Sequence, residues 1–286
     1  MSAEDLLRGG DVQGALDALQ GQVRAKPQDA KLRIFLFQLL CVLGDWKRAV
    51  TQLKVSAELD GSATTMAQTY REAITCELFR DKVFAGEKEP LVFGEPQDWV
   101  ARMIEAQKYT ARGEHNAAAD LRGQAFEAAP AEAGRINGEP FEWVADADMR
   151  LGPLLEMIVN GRYFWVPFTA ISRMKIEPPS DLRDAVWTPA EVKWKTGGDM
   201  WALIPTRYPG SQKAGDAVKL GRVTEWEDIG ADTWAGLGQR LLATDQSDTG
   251  IMDLRVFEVG ESIPDEEEAD EAGDTAGQAE AGGGNG

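Results

Sequence analysis

The sharpest polar cluster in the sequence with residue types that could do chemistry is Asp146-Ala147-Asp148-Met149-Arg150. Paired carboxylates at this spacing could bind a hard cation or divide the acid and base roles of a catalyst. The acid-and-glycine spacing of a calcium loop is missing, however, and Arg150 supplies a ready counter-charge. We therefore expect Asp146, Asp148 and Arg150 to form a structural polar cluster. Asp148 would cap a following helix. Either Asp146 or Asp148 would hold Arg150 in a bidentate pair.

Other residue types that carry chemistry are sparse. His115 is the single histidine, and the two cysteines, Cys41 and Cys76, sit in apolar helical patterns. A metal site of ordinary ligand spacing cannot be composed from them, so we expect no metal, no cofactor and no catalytic residue. Gly236-Leu237-Gly238 resembles the start of a dinucleotide fingerprint, but the third glycine would fall on Leu241. The tryptophans could form a base-stacking platform, although a packed aromatic core is favoured.

The charge of the chain is strongly acidic and unevenly spread. Half of the formal net charge of −18 lies after Gly260, where nine acids occur without a base. An acidic chain repels phosphates, which opposes nucleic-acid binding. Residues 261–286 are predicted to be a disordered acidic tail, because they offer little apolar surface to bury. No apolar run is long enough to span a membrane and the start lacks signal-peptide features, so we expect a cytoplasmic protein.

The first half of the chain shows a repeating helical pattern. Gly10-Asp11, Gly44-Asp45 and Gly113-Glu114 each have an alanine four residues after the acid, and the first two pairs are 34 residues apart. This is the period of tetratricopeptide (TPR) repeats. Glycine permits the left-handed turn between antiparallel helices, and alanine lets those helices approach closely. We predict a TPR-like helical repeat domain over residues 1–135, with a distorted unit at 62–95.

The second half, residues 136–260, reads as a small α+β domain with a twisted, largely antiparallel sheet. Short alternating or aromatic runs predict strands, and a proline and a serine mark the starts of two helical segments. The predicted strands are 163–168, 192–195, 200–204 and 252–259; the predicted helical segments run from Pro153 to about Asn160 and follow Ser180.

A series of motifs in this second half resembles the type VI secretion accessory proteins of the TagJ, ImpE or SciE family. The motifs cover most of residues 141–241 in order, and they are specific as a set. They are Phe141-Glu142-Trp143, Asp146-Ala147-Asp148-Met149-Arg150-Leu151-Gly152-Pro153, Gly161-Arg162-Tyr163-Phe164-Trp165-Val166-Pro167-Phe168, Leu182-Arg183-Asp184, Arg207-Tyr208-Pro209-Gly210-Ser211, Leu220-Gly221-Arg222-Val223-Thr224-Glu225-Trp226 and Gly236-Leu237-Gly238-Gln239-Arg240.

The resemblance implies a cytoplasmic, non-enzymatic component of a contractile injection machine. Such proteins bind the small sheath subunit through an N-terminal helix of that subunit, near the step at which an AAA+ ATPase recycles contracted sheath. The resemblance supplies no catalytic residues. The acidic tail lies outside it.

Stacked helix pairs independently suggest a concave surface that could receive a helix from a partner. The repeat alignment places Lys31 and Gln38 on its inner side as candidate contacts, with Ile34 as an apolar anchor. These residues could instead serve only packing between repeats. Two other functions remain open: a general scaffold or chaperone-like cofactor for another client, and an enzyme that uses Asp146, Asp148, Arg150 and Arg207.

Overall fold

The computed structural model describes residues 1–95 and 97–260, so the predicted acidic tail lies outside the described residues. Seven α-helices fill the first half of this described chain, and a short eighth lies in the second half. Their bounds are α1 Ala3–Arg8, α2 Val12–Ala25, α3 Ala30–Val42, α4 Trp46–Leu59, α5 Thr64–Phe84, α6 Asp98–Ala111, α7 His115–Ala128 and α8 Asp216–Lys219. No helix in these residues is both long and apolar enough to cross a membrane.

The predicted helical hairpins are confirmed at their turns. Gly10, Gly44 and Gly113 have φ angles of 85°, 72° and 77°, in the left-handed region that favours glycine. They join α1 to α2, α3 to α4, and α6 to α7. Asp11 and Asp45 then cap the second helix of their pairs, because each carboxylate accepts a hydrogen bond from a backbone N–H three residues later.

The second half is built on strands whose order is not the order of the chain. Within the described residues the main sheet has the order β1-β6-β5-β9-β8-β7-β14-β2-β3; β13-β12-β4 form a second sheet and β10-β11 a separate hairpin. The bounds are β1 Leu91–Val92, β2 Gly134–Ile136, β3 Glu139–Phe141, β4 Val144–Asp146, β5 Leu154–Val159, β6 Arg162–Pro167, β7 Ile171–Lys175, β8 Trp187–Trp194, β9 Asp199–Pro205, β10 Thr224–Asp228, β11 Trp234–Gly238, β12 Leu241–Thr244, β13 Asp248–Gly250 and β14 Val256–Val259.

The predicted fold class is confirmed: a helical region precedes a mixed sheet domain. Among the described strands, β1 and β6 pair in parallel and the other pairings are antiparallel. Strand β1 comes from the distorted unit at 62–95 of the helical half, and it extends the sheet of the second half. The two halves therefore share backbone pairing as well as side-chain contacts.

Two predicted elements were wrong. The helix expected from Pro153 to about Asn160 is strand β5, and all six of its residues are buried. A strand covered on both faces is a continuous apolar run, which periodicity does not distinguish from a buried helix. The strand expected at 252–259 is confined to Val256–Val259, because the chain turns before it at Met252. The helical turn predicted after Ser180 is confirmed as the 3₁₀ segment Leu182–Ala185.

Buried apolar side chains of the described chain form two clusters on opposite faces of the main sheet. One contains side chains of β5, β6 and β8 together with those of α1 to α6. The other lies on the opposite face and is closed by Leu242, Ile251 and Leu254. Because successive residues of a strand point to opposite faces, Leu154 and Ile158 of β5 belong to the first cluster, and Leu155, Met157 and Val159 belong to the second.

The inner side of the helical hairpins is occupied by the chain itself. Trp187 of β8 lies 5.6 Å from the ring of Tyr70 and 6.0 Å from that of Trp46, measured between centroids. Trp165 of β6 lies 6.1 Å from Phe84 in the same way. The hollow that the repeat pattern predicted for a partner helix is therefore filled by the protein's own sheet.

Candidate functional site

The charged groups singled out in the sequence belong to a buried network between the two halves. At its centre, Arg240, which immediately precedes β12, makes ion pairs with Asp146 of β4 and Glu156 of β5, and the three side chains are fully buried. Arg80 of α5 approaches Glu156 from the helical side, with Nε–Oε1 at 2.5 Å and Nη2–Oε2 at 2.7 Å. Tyr163 also donates a hydrogen bond to Glu156. One carboxylate of the sheet thus holds an arginine from each half.

The network extends to helix α3 through a third arginine, Arg207, whose carbonyl oxygen accepts a hydrogen bond from Arg80 at 2.9 Å. Arg207 donates hydrogen bonds from Nη1 to the carbonyl oxygen of Val42 at 2.8 Å and from Nη2 to that of Cys41 at 3.3 Å. These carbonyls lie at the C-terminal end of α3, where the helix dipole and the unpaired carbonyls favour a cation. Arg207 is therefore a structural anchor for the end of that helix.

The predicted pair of Asp148 and Arg150 forms as a local loop contact. Arg150 donates from Nε and Nη2 to the carboxylate of Asp148 at 2.9 and 2.5 Å, and its backbone N–H donates to the same carboxylate. The residues that follow enter strand β5, so Asp148 has no helix to cap and that part of the prediction was wrong. Asp148 instead accepts a hydrogen bond from the backbone N–H of Gly236 at 3.0 Å, and so fixes strand β11.

Burial and pairing move the pKa values of this network in opposite directions. Burial raises the pKa of Asp146 to about 7, although Arg240 opposes the shift. Burial would also raise the pKa of Glu156, but the guanidinium groups of Arg80 and Arg240 lower it to about 2. Burial lowers the pKa of Arg207 to about 10. A carboxylate between two cations stays ionised, whereas one that faces a single cation is close to taking up a proton.

The charged groups of this network pair within the protein. Its charges are directed at one another, and its members are almost fully buried. Within residues 1–95 and 97–260, no three His, Cys, Asp or Glu side chains are grouped so that they could hold a metal ion. Clefts of about 20 and 120 Å³ lie elsewhere on the surface, and neither is lined by a residue of the network. The network joins the halves of the protein.

The three residues predicted to contact a partner do not share an exposed face. Lys31 is exposed in the first turn of α3, and Ile34 is half-buried and packs against the shared core. Gln38 is only 7% exposed, because the C-terminal half of α3 is enclosed by its neighbours, including Leu182–Ala185. Gln38 therefore has almost no surface to offer a partner.

The sequence interpretation missed a set of exposed aromatic side chains. Trp165, Trp187 and Trp194 are buried as a packed aromatic core requires, but other tryptophans of the second half are not. These are Trp143, Trp201, Trp226 and Trp234, with exposed fractions of 41, 67, 38 and 47%. A signal for two of them was available, because Trp226 lies between Glu225 and Glu227 and Trp234 follows Asp232 and Thr233.

The comparisons with known proteins agree on one group. Residues 138–258 match the family model described as ImpE protein. The chain is 54% identical over 256 residues to the type VI secretion system accessory component TagJ of Pseudomonas aeruginosa, covering 89% of this chain and 90% of that protein. The crystal structure of protein VPA1032 from Vibrio parahaemolyticus superposes with a TM-score of 0.83 at 28% identity, covering 91% of this chain and 98% of the other. The chain therefore belongs to the ImpE family of type VI secretion system accessory components, together with TagJ.

Proposed function

We propose that this protein is a non-enzymatic, cytoplasmic accessory protein of a type VI secretion system that binds the small subunit of the contractile sheath. The contact would be made through an N-terminal helix of that subunit, which links the protein to sheath recycling by the AAA+ ATPase. The observation that carries the proposal is the 54% identity, over nearly the full length, to a type VI secretion accessory component. Two features of the structure support a binding role.

The first feature is that the charged residues are buried and paired within the protein. Asp146, Arg207 and Arg240 are buried and bonded to other groups of the chain. A catalyst needs polar groups that reach a substrate in a cleft. A network of this kind supports a rigid binding protein better than it supports an enzyme.

The second feature is the exposed apolar surface of the sheet domain. Single apolar residues are common on protein surfaces, but exposed tryptophans are enriched where proteins bind each other. The partner helix would lie on such an outer surface, because Trp187 and Trp165 already fill the inner side of the helical hairpins.

The proposal is tested by co-purification of the full-length chain with the recombinant small sheath subunit, intact and without its N-terminal helix. We expect the intact subunit to be retained and the shortened one to be lost. Equal retention of both would refute the role of that helix. Capture of a different client in place of the sheath subunit would favour a general scaffold or chaperone-like cofactor.

The contribution of helix α3 can be tested in the same assay. Lys31→Glu changes an exposed side chain, whereas Ile34→Asp would place a charge against the shared core and perturb the fold. Lys26→Glu, at another exposed lysine outside α3, is the matched control. Retention reduced by Lys31→Glu alone would place the partner at the start of α3, and unchanged retention would remove this residue as a contact.

A further inference from the structure

We propose that the hairpin β10–β11 is the docking surface, and that it receives a cationic amphipathic segment of the partner. The inference rests on the proposed function, since it assigns a surface and a chemistry to the binding described above. Four features of the hairpin carry it: the placement of its tryptophans, its rigidity, its exposure and its charge.

The hairpin presents two indole rings on one face. In its register Trp226 is opposite Gly236, and Asp228 is opposite Trp234. Directly opposite residues of an antiparallel pair share a face, so Trp226 and Trp234 are diagonal neighbours about 7–8 Å apart. Gly236 lies between them on this face, and the ring of Tyr208 fills the space that its side chain would occupy. The partner would therefore contact the exposed parts of the two indole rings rather than a gap between them.

The hairpin is fixed in place by bonds to the rest of the domain. The backbone N–H of Gly236 donates to Asp148, and that of Gly238 donates to Ser211 Oγ at 2.8 Å. Arg122 of α7 donates from Nη2 to Thr233 Oγ1 at 2.5 Å, just before β11 begins. A rigid surface loses little conformational entropy on binding, which favours affinity.

Glycine is required where the hairpin meets the domain. A Cβ atom at position 236 would overlap the ring of Tyr208, and one at position 238 would overlap the carbonyl oxygen of Val223. Gly238 also has a φ angle of 94°. The Tyr208 ring uses the space at Gly236, where its centroid lies 5.8 Å from that of Trp226. Trp226 therefore packs against Tyr208 on one side and remains 38% exposed.

The hairpin combines exposed apolar side chains with a strongly acidic charge. Asp228 shares the face of the two tryptophans, whereas Glu225 and Glu227 lie on the opposite face of the same exposed strand. Trp226, Trp234 and Val223 are its exposed apolar side chains. Residues 223–238 contain four acids and no lysine or arginine, and all four acids are exposed: Glu225, Glu227, Asp228 and Asp232. Complementary charge guides association and excludes like-charged partners. A partner segment with apolar residues flanked by Lys or Arg satisfies both parts of this surface, and its cations can also lie over the indole faces.

The same charges argue against the other classes of partner. Nucleic acid and anionic lipid both carry negative charge, so the four carboxylates of the hairpin would repel them. A cationic protein segment is the partner class that this surface attracts.

The experiment is a calorimetric titration of the full-length chain with the intact small sheath subunit. Two double variants test the surface: Trp226→Ala/Trp234→Ala removes the indoles, and Glu225→Lys/Glu227→Lys reverses the charge. Loss of central aromatic contacts weakens interfaces by about 30-fold or more, so we expect at least that change in Kd for the tryptophan variant. For the charge variant we expect about tenfold or more, with a smaller dependence of Kd on salt than in the native protein.

Matched changes elsewhere serve as controls. Trp201→Ala removes an even more exposed indole from strand β9, and Glu87→Lys/Glu139→Lys makes the same change in net charge away from the hairpin. Both should bind within about twofold of the native protein. Urea unfolding of every variant identifies any loss of folding, and the charge variant, which alters only exposed side chains, keeps the test valid if the tryptophan variant does not fold.

The outcomes separate the two proposals. If the native chain binds the subunit and both hairpin variants, properly folded, bind within twofold of it, the hairpin is refuted and the proposed function stands. An equal loss of binding in the controls would also refute the hairpin, because the effect would not be local. If the native chain does not bind at all, the proposed function fails and this inference fails with it.

Discussion

Replacing Arg240 by methionine would remove the centre of the buried network while keeping a long apolar side chain in its place. Arg240 has no exposed surface and pairs with both Asp146 and Glu156. The two carboxylates are not left in the same state. Glu156 keeps Arg80, whose nearest nitrogen is 2.5 Å away, whereas Asp146 keeps only neutral hydrogen-bond donors, including Tyr208 at 2.9 Å. Breaking a buried ion pair by removal of one partner costs about 3–5 kcal/mol.

The pH dependence of this cost follows from Asp146. Its pKa is about 7 in the native protein, and loss of the opposing guanidinium of Arg240 raises it further. Below pH 7 the carboxyl is protonated in both folded proteins, so the variant should lose only about 3 kcal/mol. Above pH 7 the native carboxyl is ionised, but the carboxyl of the variant still binds a proton that the unfolded chain, with the ordinary aspartate pKa of 3.8, has released. The free energy of unfolding of the variant then falls by a further amount of about 1.4 kcal/mol per pH unit relative to that of the native protein.

The assay is urea unfolding followed by tryptophan fluorescence at pH 6.0, 7.5 and 8.5. The double variant Arg240→Met/Asp146→Asn lacks the titrating carboxyl. Its free energy of unfolding should therefore differ from that of the native protein by an amount that does not grow with pH in the same way. Arg48→Met is the exposed control, because Arg48 and Asp45 form a pair at 3.1 Å on the surface, and such pairs contribute about 0–1 kcal/mol. A loss below about 1 kcal/mol at pH 8.5, or one that does not vary with pH, would refute the reasoning.

Two further predictions concern packing and backbone. Trp187→Ala should lower the free energy of unfolding by about 3–5 kcal/mol, since this fully buried ring joins the two halves, and the exposed control Trp201→Ala should change it by less than about 0.5 kcal/mol in the same urea experiment. Gly44→Ala should destabilise the protein by about 1 kcal/mol or more, because φ is 72° and a Cβ would press on Gln212. Gly21→Ala, inside α2 with open space around it, should stabilise the protein by about 0.5–1 kcal/mol. Calorimetric melting that gave both changes the same sign would contradict this reasoning.

The helical half was predictable because its signals are local. A glycine followed by an acid sets both the left-handed turn and the cap of the next helix, as at Gly44-Asp45. Both requirements are satisfied within four residues, so they can be read without knowledge of the rest of the fold. The change to aromatic and alternating runs after residue 135 is also a local signal, and it predicts where the sheet half begins.

The parts that could not be predicted depend on residues far apart in the chain. Arg240 and Asp146 are 94 positions apart, and Arg80 and Glu156 are 76 apart, so no spacing rule connects them. The sequence predicts that either Asp146 or Asp148 pairs with Arg150, and Asp148 does; its contact with Gly236 is visible only in three dimensions. The filled hollow has the same origin, because an inner helix surface suited to a partner helix is also suited to the chain's own sheet.

The shared core has a consequence for synthesis on the ribosome. Helices α3 and α5 leave the ribosome early, but the ring of Trp187 that covers Tyr70 is encoded 117 residues after it. At about 5–20 residues per second, the apolar side of the nascent helices stays uncovered for roughly 6 to 23 seconds. During that interval the growing chain is a client for chaperones, and translation that stalls between these two positions releases a fragment prone to aggregate.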